Sequence, residues 1–341
     1  MGEIHLESKN YAKAREVFSQ FVGQFPQSEL FAPGLVNLGW SLLNLGDFDG
    51  VTQVAHRLLK LPSGQVERAL PQLLLGEVHF QRGQYKDALP YFFNLLNTPS
   101  QRENALYKIS RCYFYQGEYK DAITNVEILA LEYPDSKKLG ECLYLRGRAA
   151  ISLGDIEKAI ASFSEILQKE SDDSWTAAAQ YELAKIYYER RDQKKAKVLF
   201  TEVAQDASGS ESAVLASYYL GIIYSKERNT TKALEYLDRA LASNNGAIRA
   251  ESHYRIGEIY FQKKAYNLSL YHFQTIVETL TDQKGWVELA FFEIGSVRLA
   301  QGESDEAERA FQRVLDLSKD PDLREASEKV LVSIEKRRLK P

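Results

Sequence analysis

The segment Leu73–Pro99, LLLGEVHFQRGQYKDALPYFFNLLNTP, decides the fold. Around Gly76, the positions Leu75, His79 and Phe80 fall one before and three or four after, which is the spacing of one helix face. The same period resumes at Ala88, Phe92, Leu95 and Leu96. Between the two runs stands Gly83-Gln84-Tyr85, where glycine supplies the left-handed residue that ends a helix. Pro99 closes the stretch, because a residue without a backbone N–H stops a helix. The stretch therefore reads as helix A, tight turn, helix B.

This reading recurs along the chain. Gly76 has counterparts at Gly39, Ser110, Gly147, Ala184, Gly221, Gly257 and Gly295, one small residue every 34 to 38 positions. Twelve residues after each comes Val51, Ala88, Ala122, Ala159, Ala196, Ala233, Ser269 or Ala307, and sixteen after comes Ala55, Phe92, Val126, Phe163, Phe200, Leu237, Phe273 or Phe311. One step back from Gly39 lies Gly2, with Ala14 and Phe18 at the same offsets, so a ninth unit is expected with its first helix truncated. Units of this period bury their apolar faces by stacking on their neighbours. We expect one array over residues 1–318 and a capping helix over 320–341, opened by Asp320 and Pro321 and presenting Leu323, Ala326, Val330, Leu331 and Ile334 on one face.

The punctuation varies along the array. Gly46-Asp47, Gly117-Glu118, Gly154-Asp155 and Gly302-Glu303 repeat the glycine-acid turn, whereas Arg191, Arg228 and Lys264 replace its glycine and predict strained or differently shaped turns. Pro26, Pro62, Pro99 and Pro134 end the B helices of the first half. In the second half the breaks are Ser171–Ser174, Ser208-Gly209-Ser210, Asn244-Asn245-Gly246 and Thr281–Gly285, none long enough to be a domain linker.

Composition narrows the function classes. No run of about 18 apolar residues exists to span a bilayer, and Gly2–Phe25 holds no continuous apolar stretch of the signal-peptide kind. A net charge of −4 argues against a nucleic-acid-coating surface, which would be strongly basic. Cys112 and Cys142 are out of register on the ladder and read as small packing residues. The five histidines, His5, His56, His79, His253 and His272, read as scattered over separate units without ligand spacing, so no metal and no cofactor is expected. Phosphate-binding glycine loops, His-Glu-x-x-His, Cys-x-x-Cys and nucleophile elbows are absent, and the chain reads as no enzyme.

Gly76, Gly83, Tyr85, Ala88, Phe92 and Pro99 in one unit, and Tyr113, Gly117, Tyr119, Ala122 and Pro134 in the next, resemble the tetratricopeptide repeat. The resemblance covers about residues 1–318 and implies an all-α, right-handed superhelical solenoid whose A helices line a concave groove for a protein or peptide partner. The closings Phe25-Pro26-Gln27-Ser28 and Tyr133-Pro134-Asp135-Ser136, with the lengthened period, are similar to bacterial cell-envelope members of the family. That similarity implies an envelope or periplasmic location, with the cytoplasm as the alternative.

Two rows on helix A carry the candidate site. Three residues before the small positions stand Val36, Leu73, Tyr107, Tyr144, Tyr181, Tyr218, Tyr254 and Phe292, among them five consecutive tyrosines. Tyrosine offers a rigid apolar body with a polar tip, which suits recognition, and equally suits packing against the next helix. One residue after the small positions stand Trp40, Glu77, Arg111, Arg148, Lys185, Ile222, Glu258 and Ser296. Arg111, Arg148 and Lys185 would give a positive band able to hold an acidic segment, or would form an internally paired row. Asparagine is missing from this row, so the asparagine-lysine clamp by which some relatives hold a peptide's C-terminal carboxylate is not expected. Trp40, Phe80 and Leu43 form a further apolar patch or part of the core, and Arg190, Arg191, Lys194, Lys195 and Lys197 a basic turn. The expected partner-binding residues are Trp40, Tyr107, Arg111, Tyr144, Arg148, Tyr181, Lys185, Tyr218 and Tyr254. A structural or oligomerising role is the alternative, and nucleic-acid binding through the basic turn a third.

Overall fold

Small residues recur because an aromatic ring sits on them. In the computed structural model, a Cβ added to Gly76 would lie 2.6 Å from the Phe92 ring, one on Gly147 2.5 Å from Phe163, one on Gly257 2.7 Å from Phe273, and one on Gly295 2.8 Å from Phe311. Each ring belongs to the residue sixteen positions on and is fully or almost fully buried. Helix A must therefore expose bare backbone where helix B lays its ring. Gly2 meets Phe18 in the same way at 2.6 Å, which places a ninth repeat at the start of the chain. At Gly39 the residue sixteen on is only Ala55, and Leu74 of the following repeat fills the space at 2.7 Å.

The structure describes residues 1–62, 64, 67–169, 175–205 and 210–338, all of whose regular elements are helices. The repeats group into two compact units, Met1–Thr176 and Ala177–Pro341. In the first, α1 (Gly2–Glu7) pairs with α2 (Tyr11–Gln24), α3 (Phe31–Asn44) with α4 (Phe48–Leu59), α5 (Ala69–Gln81) with α6 (Tyr85–Leu95), α7 (Pro99–Gln116) with α8 (Tyr119–Glu132), and α9 (Leu139–Ser152) with α10 (Ile156–Gln168). In the second, α11 (Thr176–Glu189) pairs with α12 (Gln193–Ala204), α13 (Glu211–Lys226) with α14 (Thr230–Ala240), α15 (Gly246–Gln262) with α16 (Tyr266–Thr279), and α17 (Lys284–Gln301) with α18 (Ser304–Leu317). The last helix, α19 (Pro321–Arg338), packs on α18. The odd-numbered helices up to α17 are A helices and the even-numbered ones B helices.

The turns refine the sequence reading. Gly46, Gly83, Gly117, Gly154 and Gly302 have φ between 73° and 85°, and Arg191, Arg228 and Lys264 adopt the same left-handed conformation at 62°, 59° and 58°. The three turns are thus strained as expected, but share the glycine geometry instead of taking another shape. Asp47, Asp155 and Asp192 cap the following helix by accepting from Gly50, Lys158 and Lys195 N–H, whereas the longer Glu118 and Glu303 make no such bond. The breaks at Ser171–Ser174 and Ser208-Gly209 lie outside the described residues, while Ser210 caps α13 through Ala213 N–H. Pro99 both follows α6 and starts α7.

An arginine eight residues before the small position, unnoticed in the sequence, closes several B helices. Arg68 donates to Leu59 and Leu61 carbonyls, Arg102 to Leu96 (3.1 Å) and Arg249 to Ser243 (2.8 Å). Carbonyls at a helix end lack intrahelical donors, so a guanidinium fork fits them. Arg324 repeats this on the Leu315 and Ser318 carbonyls, so α19 sits in the register of an A helix. Asp320 caps it by accepting from Asp322 and Leu323 N–H, as the sequence predicts. Its inner side buries Ser327 and Ile334, while Glu325, Glu328, Lys329, Glu335 and Lys336 are exposed. A charged outer face is what lets a terminal helix cover a stack.

Candidate functional site

The tyrosine row is stitched into the stack. Tyr107 hydroxyl donates to Glu141 Oε2 at 2.8 Å, Tyr218 to Glu251 Oε2 at 2.6 Å, and Tyr254 to Glu293 Oε1 at 3.2 Å. In each case the carboxylate belongs to the next A helix. Burial, reinforced by those carboxylates, holds the three phenols well above the ordinary tyrosine range. Tyr144 lays its ring 5.0 Å from that of Trp175 and 5.7 Å from Phe163, and Tyr181 lies against Phe200 and Tyr219. All five rings are half-buried. Each therefore shows one edge on the A-helix face while its body joins neighbouring helices.

The charged row is more heavily paired than a binding band would be. Glu77, 6% exposed, holds Lys108 at 2.6 Å. Arg111 donates through Nη1 to the Tyr107 hydroxyl (2.9 Å), lies 3.4 Å from Glu141 through Nε, and stacks over Phe80 at 4.8 Å. This cation belongs to an internal network, and only its outer edge faces solvent. Arg148 is exposed and donates to the Tyr144 hydroxyl at 3.3 Å. Lys185 is half-buried with no ion pair recorded among the described residues. Trp40 is half-buried between two core clusters, one around Leu35, Leu42 and Leu74, the other around Leu73 and Phe92. Phe80 packs on the second of these clusters and against Tyr85 and Tyr115, at 5.3 and 6.0 Å, so the bodies of Trp40 and Phe80 both take part in packing.

The basic turn is also partly neutralised. Lys197 pairs with Glu227 (2.6 Å) and lies 4.3 Å from the Tyr224 ring, and Lys195 pairs with Asp192 (3.7 Å). Cys112 and Cys142 are buried free thiols, whose pKa burial pushes up to about 12.

Two groupings escaped the sequence reading. His253 and His272 belong to one repeat, on α15 and α16, and their Nδ1 atoms stand 2.9 Å apart. The expectation that the histidines lie in separate units is thereby corrected: the offsets −4 and +15 from Gly257 face each other once helix B folds back. The second grouping is a cavity of about 550 Å³ in the second unit, bordered by Lys226 at the end of α13, Arg228 in the turn, Thr230 at the start of α14, and Arg255 and Glu258 on α15. These residues occupy different offsets, so no single row of the repeat contains them.

Tetratricopeptide-repeat family models match residues 1–28 and 290–325, the model of anaphase-promoting complex (cyclosome) subunit 3 matches 52–129, and that of the coatomer epsilon subunit matches 102–258. No curated protein matches the sequence. Among solved structures, the chain is similar to the apo form of RapI, with a TM-score of 0.61 and 13% identity, covering 93% of this chain and 95% of that one. It is also similar to the apo quorum sensor NprR from B. thuringiensis, at 0.55 and 14%, covering 93% and 96%. The C-terminal part of a TPR repeat-containing protein from Cytophaga hutchinsonii aligns at 0.56 and 17%, covering 71% of this chain and 94% of that one. At these identities the likeness is one of fold. The ladder of small residues, the rings that rest on it and the family-model matches at both ends together show that the chain carries tetratricopeptide repeats.

Proposed function

We propose that the chain is a non-catalytic protein-interaction scaffold that receives a partner segment on the A-helix face within its compact units. The observation that carries this reading is the tyrosine-carboxylate stitching: Tyr107, Tyr218 and Tyr254 are each anchored to the next A helix. A face whose rings are already fixed loses little conformational entropy when a partner lands on it. The same fold in a quorum sensor, NprR, supports a recognition role. In the first unit the contact would centre on Tyr144 and Arg148, whose side chains meet at the surface of α9. The test is a quantitative pull-down with Tyr144→Ala combined with Arg148→Glu. Partner recovery should fall with helicity intact, and unchanged recovery overturns the reading.

The finer reading, a place in a bacterial envelope assembly, rests on the Phe25–Ser28 and Tyr133–Ser136 closings. Cell fractionation tests it, and recovery in the cytosol alone rejects it. Self-association is the second reading, favoured by Leu268 and Tyr271, which are 48% and 60% exposed on α16. Light scattering that shows only monomer across a concentration series removes it.

A further inference from the structure

The cavity between α13 and α15 is bordered by three cations, of which Arg255 alone is paired with an acid among the described residues. Arg255 donates through Nε and Nη2 to a single oxygen of Glu251, at 2.8 and 2.6 Å, and its Nη1 has no partner among the described residues. Lys226 donates to a neutral group, the Tyr188 hydroxyl, at 3.2 Å, and makes no ion pair among the described residues. Arg228 is exposed, held in a left-handed conformation, and makes no ion pair among the described residues. Three cations, from the end of α13, the turn after it and α15, thus border one cavity of about 550 Å³, large enough for more than one side chain. The first turn of α14 opens there too, and its partial positive charge adds to the field. The one acid on the wall, Glu258, is half-buried, and burial holds its carboxyl above the usual range.

We propose that this cavity binds an internal acidic segment of a partner protein, with glutamate or aspartate side chains engaging Lys226, Arg228 and Arg255. The proposal rests on the reading of the A-helix face as a partner-binding surface and names the partner's chemistry there. A run of acidic side chains presents several carboxylates to donors carried on separate elements. A nucleic-acid strand fits less well, since Glu251 and Glu258 flank the same cations and the chain carries a net −4 charge.

The probe is a fluorescent peptide of alternating glutamate and glycine, blocked at both ends, titrated by anisotropy into the full chain. Binding should weaken as salt rises, and the glutamine counterpart should not bind. Lys226→Gln and Arg228→Gly remove cations without touching the Glu251 pair, and the glycine keeps the left-handed turn. Together they should weaken binding about tenfold or more, with thermal stability retained. No binding of the glutamate peptide, equal binding by the double variant, or stronger binding of a single-stranded oligonucleotide overturns the proposal. Native partner recovery in the same double variant separates the two readings. Recovery that survives it but is lost with Tyr144→Ala and Arg148→Glu rejects this cavity and leaves the scaffold reading standing.

Discussion

His272 is buried, with Nδ1 2.9 Å from His253 Nδ1, so one ring must carry the shared proton and donate it to the other. A second proton between the rings would turn two N–H groups toward each other and place a cation beside Arg249, with Asp238 the acid nearest His253 in effect and the rings of Tyr260 and Tyr271 beside His272. Burial first, and the charge of His253 second, lower His272 from 6.5 to a pKa of about 4, and burial followed by Arg249 lowers His253. Between pH 6.5 and 4 the unfolded chain therefore binds more protons than the folded one, and stability falls as the pH drops through that window. Above it both states are neutral here and the penalty vanishes. For His272 alone it approaches about 3 kcal/mol at the acid end. In His272→Phe, which keeps an aromatic ring against Tyr260, the urea midpoint should change much less between pH 7 and 5 than in the parent chain. Equal pH slopes would show that the pair does not titrate as described.

At the scale of the element, the strained turns at Arg191, Arg228 and Lys264 have one cause and one remedy. Lys264 at φ 58° occupies the position filled by glycine at Gly83 and Gly117, and its N–H still donates to the Phe261 carbonyl at 2.8 Å. A left-handed conformation costs a non-glycine residue about 1–2 kcal/mol, and glycine's extra unfolded-state freedom offsets about half of that. Lys264→Gly should raise stability by about 0.5–1 kcal/mol, read as a higher urea midpoint at unchanged m-value. A fall in midpoint would mean that the lysine side chain makes a contact worth more than the strain. Elements are also joined by charges placed at different offsets, as in Lys108–Glu77 between α5 and α7 and Arg102–Glu132 between α7 and α8. The first is the stronger stitch, because both partners are largely shielded from water; the second is a partly exposed pair of the kind that contributes little.

On the scale of the whole molecule, helices in close contact are neighbours or next-but-one neighbours in the chain, as α3 is to α4 and α5. Such a stack stores its stability locally. Gly147→Ala would put a Cβ 2.5 Å from the buried Phe163 ring. Overpacking costs about 1–3 kcal/mol, which exceeds the roughly 1 kcal/mol that alanine gains over glycine inside a helix. Hydrogen exchange should quicken in α9, α10 and the helices touching them, while α3 and α4 in the same unit keep their protection. Uniform loss across the first unit would instead make it a single cooperative block.

What the sequence determined by itself is everything that depends on period. The spacing of Gly76, Ala88 and Phe92 and its recurrence fix two helices per repeat, because a bulky side chain sixteen residues on packs where helix A offers a small residue. The tyrosine row was legible for the same reason, since every member has one offset. Tertiary structure alone decided which polar groups are spent within the stack. Tyr107 reaches Glu141, Arg111 joins both, and His253 meets His272, each pairing different offsets on different helices. The cavity around Lys226, Arg228 and Arg255 was hidden likewise, drawn from a helix end, a turn and the next A helix. A repeat read row by row shows what each helix presents along its own axis, and pairing across helices follows from how they are brought together in space.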